Sequence, residues 1–78
     1  MSNDLPDWVR QQRRELGRRV RELRRQRELT QEQLAERAGV DSKTISRAEN
    51  GHFNIGVDLI GALARALGVP TWRLFRDD

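Results

Sequence analysis

Residues 30–51 read TQEQLAERAGVDSKTISRAENG, and this stretch decides the fold. Thr30-Gln31-Glu32-Gln33 has the form of a capping box. In such a box the Thr30 hydroxyl accepts the Gln33 backbone N–H and the Gln33 side chain reaches back to the start of the helix. Leu34, Ala35 and Ala38 then fall on one helical face, and Gly39 supplies the left-handed residue that closes such a helix. Only Val40 and Asp41 separate it from a second helix. Asp41 is that helix's natural N-cap, Ile45 and Ala48 form its apolar stripe, and Asn50-Gly51 ends it. A joint this short sets two helices steeply across one another. Ala35 is small where they approach, and Val40 and Ile45 are placed to plug the angle between them.

Working outward, the remaining segments are also helical. A long first helix is predicted from about Leu5–Asp7 to Arg27. Pro6 suits its first turn, Asp7 suits the positive end of its dipole, and Val9, Leu16, Val20 and Leu23 recur at helical spacing. After a loop over 52–56, Val57 to Leu67 predicts a further helix with Leu59, Ile60, Leu63, Ala64 and Leu67 on its core face, stopped by Gly68. Gly61 inside it costs about 1 kcal/mol relative to alanine unless something packs closely on it. A last short helix from Pro70 to about Arg76 would carry Trp72, Leu74 and Phe75. The expectation is an all-α, compact five-helix bundle, with residues 16–76 as the domain and 1–15 as an N-terminal extension of the first helix.

Composition narrows the function. The chain has 78 residues, no cysteine and one histidine, so disulfides, thiolate catalysis and a cysteine- or histidine-built metal site are not expected. No apolar run approaches the length of a membrane span, and Met1-Ser2-Asn3-Asp4 does not open a signal peptide, so the cytoplasm is the default. Neither a nucleophile–base pair nor a carboxylate dyad nor a phosphate-binding loop is recognisable, which argues against an enzyme, and no cofactor is expected. The net charge is only +3, but residues 10–27 hold nine arginines against Glu15 and Glu22. That asymmetry fits an anionic partner, nucleic acid before membrane; it also fits a solvated arginine-rich helix.

Leu34-Ala35-Glu36-Arg37-Ala38-Gly39-Val40, Thr44-Ile45-Ser46-Arg47-Ala48-Glu49-Asn50-Gly51 and Leu63-Ala64-Arg65-Ala66-Leu67-Gly68-Val69 resemble, in order and spacing, the Cro/CI-type (XRE) helix-turn-helix proteins. The resemblance runs from about Leu16 to Phe75. It implies a sequence-specific DNA-binding transcription regulator, as a repressor, activator, restriction–modification controller or antitoxin. The second helix of the pair would then be the recognition helix, with Ser42, Lys43 and Arg47 at the base edges and Ser46 nearby. Helical spacing agrees, because 43, 46 and 47 share one face, opposite Ile45, Ala48 and Glu49. Arg47 suits a two-pronged contact to guanine and Lys43 a single-pronged one.

Other roles follow from the same resemblance. Gln31 matches a glutamine that holds a phosphate at a helix N-terminus, and Thr44 reads either as a phosphate contact or as packing. The loop after Gly51 is poorer in basic residues than in many relatives, leaving His52, Asn54 and backbone groups for phosphate contacts. Arg24 and Glu49 match a pair that forms an internal salt bridge in relatives. Trp72, Leu74 and Phe75 are split between the core and a candidate dimer interface, while Leu5, Trp8 and Val9 either fold back on the bundle or meet a partner. The reading is a homodimer on near-palindromic double-stranded DNA. Its rival is an antitoxin or protein-interaction subunit with a toxin or other regulator as partner.

Overall fold

The computed structural model describes residues 4–52 and 54–76. It contains four α-helices, α1 (Asp7–Gln26), α2 (Gln31–Ala38), α3 (Ser42–Glu49) and α4 (Val57–Leu67), followed by a 3-10 turn, Thr71–Leu74. The predicted fifth helix is therefore corrected to a single 3-10 turn. The Arg73 N–H reaches three residues back to the Pro70 carbonyl at 3.0 Å and the Phe75 N–H to Trp72 at 2.9 Å, and among the described residues only the Arg76 N–H reaches four back, to Trp72 at 3.2 Å. So short a segment does not recover the cost of starting an α-helix.

Each helix end is closed by the chemistry next to it. The Thr30 hydroxyl accepts the Gln33 amide at 3.0 Å, and the Thr30 amide donates to the Gln33 side chain at 2.9 Å. Gly39, with φ 76°, turns the chain out of α2, so that the Val40 amide bonds the Ala35 carbonyl at 3.0 Å. Gly51 and Gly68 do the same after α3 and α4. After α1 there is no glycine, and Glu28 takes the left-handed conformation instead, with φ 57°.

The core lies where the helices converge. Val20 and Leu23 of α1, Leu34 and Ala35 of α2, Ile45 and Ala48 of α3, and Leu63, Ala64 and Leu67 of α4 are all buried, together with Leu29 between α1 and α2. Fully burying one such leucine contributes roughly 1.5–3 kcal/mol. Leu74 joins this core with no exposed surface, whereas Trp72 and Phe75 are 47% and 55% exposed. Leu74 is thus corrected from a candidate interface residue to a core residue. The turn is anchored by Arg19, itself buried, whose Nη2 donates to the carbonyls of Arg73 at 3.0 Å and Arg76 at 2.9 Å. At the other end Leu5 and Val9 are half-buried, while Trp8 is largely exposed. Among the described residues there is no strand and no helix long and apolar enough to cross a membrane.

Candidate nucleic-acid interface

The α2–α3 pair presents α3 with one face buried and the other open. Ile45, Ala48 and Glu49 face the core. Lys43 and Arg47 are exposed, and Ser42 and Ser46 are half-buried beside them. These four residues, expected to read bases, therefore form one continuous polar surface at the front of α3. Asp41 fixes where that surface begins. Its Oδ1 accepts both the Thr44 backbone amide at 2.8 Å and the Thr44 hydroxyl at 2.7 Å. Those two bonds hold the Asp41 carboxyl below the usual carboxylate range. The Thr44 hydroxyl thus donates to the cap in this structure.

The rear of α3 is held by α1. The Glu49 carboxylate is fully buried and accepts Arg24 Nε at 2.6 Å and Arg24 Nη2 at 3.1 Å, a two-pronged ion pair. Arg24 Nη1 reaches the Leu29 carbonyl at 2.8 Å. Gln31 Nε2 donates to Glu49 Oε1 at 3.0 Å, and Arg21 Nε approaches the same oxygen at 3.5 Å. Burial alone would push the Glu49 pKa up. The donors, led by Arg24 and followed by Gln31 and Arg21, outweigh it and leave the carboxyl below its ordinary value. Gln31, expected at a phosphate, thus has one amide hydrogen spent on Glu49 and a second still available. His52 and Asn54 are exposed in the loop that follows α3.

Two contributors to this arrangement were missed in the sequence. Gly17 is buried on the same face of α1 as Arg21 and Arg24, at i+4 and i+7. A Cβ there would overlap the Ala48 carbonyl oxygen and stand 2.6 Å from the Glu49 carbonyl oxygen, so only glycine lets α1 lie against the end of α3. Its signal was legible as a lone glycine within a 20-residue helix, where it is otherwise only a cost. Asn50 is the second. Its Nδ2 donates to the Ser46 carbonyl at 2.8 Å while its Oδ1 accepts Arg21 Nη2 at 3.1 Å, so it joins the last turn of α3 to α1.

Two short helices joined by a glycine turn, a polar outward face on the second and a locked rear define a helix-turn-helix. A helix-turn-helix family model matches residues 20–71 of the chain. The chain belongs to the helix-turn-helix family of Cro/CI (XRE) type, whose members are DNA-binding transcription regulators and not enzymes. An uncharacterized HTH-type transcriptional regulator of Methanothermobacter thermautotrophicus is 47% identical over 49 residues, covering 63% of this chain and 71% of that protein. The immunity repressor protein of Bacillus phage phi105 is 35% identical over 54 residues, covering 69% of this chain, which spans only 38% of the repressor's length. Among solved structures, the restriction–modification controller protein C.AhdI of Aeromonas hydrophila superposes with a TM-score of 0.78 at 37% identity, over 80% of this chain and 94% of its own. The fold is that of a DNA-binding transcription regulator.

Proposed function

We propose that this protein represses transcription in the cytoplasm as a homodimer, each protomer reading one half of a near-palindromic operator in double-stranded DNA. Ser42, Lys43, Ser46 and Arg47 contact base edges. Gln31, His52 and Asn54 hold phosphates on either side of the groove. The observation that carries this reading is the front of α3, where Lys43 and Arg47 stand exposed opposite three buried residues. A helix held that way offers two cations to a groove without losing core contacts. Trp72 and Phe75, exposed next to one another at the C-terminal turn, supply apolar area for pairing two protomers. A two-fold pair would place the recognition helices about 34 Å apart, one turn of the duplex.

Selection from a random duplex library tests it. The wild-type protein should enrich a two-fold symmetric site. Arg47→Ala should relax one base position per half-site, losing about 1–3 kcal/mol of discrimination there. No enriched sequence, with equal retention of both proteins, would overturn sequence-specific readout.

A further inference from the structure

Arg21 stands between the two ends of the interface, and its charge is not used up inside the protein. Glu49 is the only carboxylate paired with either Arg21 or Arg24 among the described residues. Arg24 already engages both of its oxygens. Arg21 reaches the same carboxylate only at 3.5 Å, and its other bond goes to the neutral Asn50 side-chain oxygen at 3.1 Å. Its Nη1 has no partner among the described residues. The side chain of Arg21 is 36% exposed, against 11% for Arg24 and 0% for Glu49. Two guanidiniums on one carboxylate leave an excess positive charge, and the exposed member carries it outward. Holding a second cation beside an already neutralised carboxylate contributes little by itself. The arrangement makes sense if an outside anion completes it.

The position fits a particular anion. Arg21 Nε and Gln31 Nε2 share one oxygen, Glu49 Oε1, so the guanidinium lies beside the glutamine whose spare amide hydrogen faces the DNA in the reading above. Asn50 fixes the far side of the guanidinium to the end of the recognition helix. We propose that Arg21 is a DNA-backbone ligand: α1 contributes it, through Nη1, to a phosphodiester next to the one held by Gln31, on the strand flanking the recognition helix. This inference rests on the DNA-binding reading and adds α1 to the contact surface.

The test is the salt dependence of binding to a labelled random-sequence duplex of about 30 base pairs, which needs no knowledge of the operator because phosphate contacts are sequence-independent. Each phosphate contact adds about 0.9 to the slope of log affinity against log salt. Arg21→Gln should lower the slope by about that amount per bound protomer. Its affinity deficit should then shrink about 3.5-fold per lost contact between roughly 50 and 200 mM salt. Arg21→Lys keeps the charge and should keep the slope. Arg10→Gln, which removes an arginine about three turns of helix away toward the N-terminus, should leave it unchanged. Should the glutamine variant fold poorly by circular dichroism, Arg21→Met retains the apolar stem and carries the same expectation. A steep wild-type slope with an equal slope in the folded Arg21→Gln or Arg21→Met variant overturns the role of Arg21 and leaves DNA binding intact. A wild-type protein that binds no duplex overturns the reading beneath it.

Discussion

Alanine at two glycines of this protein should act in opposite directions, and the difference measures the packing of α1 on α3. At Gly61 a Cβ would meet nothing within 4 Å, so Gly61→Ala should recover helix propensity and stabilise by about 1 kcal/mol. At Gly17 the same methyl would stand 2.6 Å from the Glu49 carbonyl oxygen and 2.8 Å from its carbon, both backbone atoms at the end of α3. Neither can swing away as a side-chain tip would. The Ala48 carbonyl oxygen is nearer still, so ordinary contact requires the helices to part by roughly 1 Å, and a gap of that order forfeits up to about half of each dispersion contact along the seam. Because backbone must move, the overpacking cost belongs near the upper end of its usual range, about 3 kcal/mol. Subtracting the roughly 1 kcal/mol of propensity gained leaves a net loss of about 2 kcal/mol.

Thermal unfolding followed by circular dichroism, at one protomer concentration, reads both changes. Gly61→Ala should raise the melting temperature by about 4–8 °C and Gly17→Ala should lower it by about twice that. The second variant should also weaken DNA binding, since the displaced helix carries the arginines that hold α3. A Gly17→Ala protein as stable as the wild type would refute the close approach of α1 to α3, and with it the account of how the recognition helix is positioned.

Arg24→Ala leaves the buried Glu49 carboxylate without its two-pronged partner and should cost about 3–5 kcal/mol at pH 7. The folded Glu49 pKa lies below the unfolded one, so its contribution is present above about pH 4.3 and is lost as pH falls through the folded value. The stability gap between wild type and Arg24→Ala should accordingly narrow when urea midpoints are compared at about pH 3. Glu28→Gly should stabilise by about 1 kcal/mol, because the left-handed backbone at φ 57° strains any residue with a Cβ; an unchanged or lower melting temperature would count against that strain. Thr30→Ala removes one half of the capping box and should cost about 1 kcal/mol, visible as a shifted denaturation midpoint with unchanged slope.

What was legible in the sequence was mostly local. The Thr30–Gln33 box, the Gly39 turn and the Asp41 cap are each specified by residues within four positions of one another, and their chemistry has few alternatives. The buried stripes of α1 and α4 follow from period alone. Less local features escaped. Arginine reads as a surface residue, so nothing announced that Arg19 would be buried to cap the carbonyls of the C-terminal turn, more than 50 residues away in the chain. Trp72, Leu74 and Phe75 look equivalent in composition, and only the tertiary position of a 3-10 turn separates the buried leucine from its two exposed neighbours. Glu28 ends α1 in a conformation normally marked by glycine, so that helix end carries no residue signal. Gln31 was read for one partner and has room for two, a property of amide hydrogens that spacing does not reveal.

The distribution of these interactions along α3 explains how one eight-residue helix can be both fixed and variable. Its rear, at Ala48, Glu49 and Asn50, is locked by Gly17, Arg21 and Arg24 on α1 and by Gln31 on α2. Its front, at Ser42, Lys43, Ser46 and Arg47, starts at the Asp41 cap and lies over Ile45. Changes at the front touch neither the ion pair nor the core, so they alter what the helix offers to a groove at little cost in stability. Changes at the rear alter the angle at which every front residue is presented, and with it all base contacts together. The arginine-rich first helix therefore has a specific structural task. Two of its arginines and one glycine set the pose of the reading helix, and a charge left over from that task faces outward at its edge.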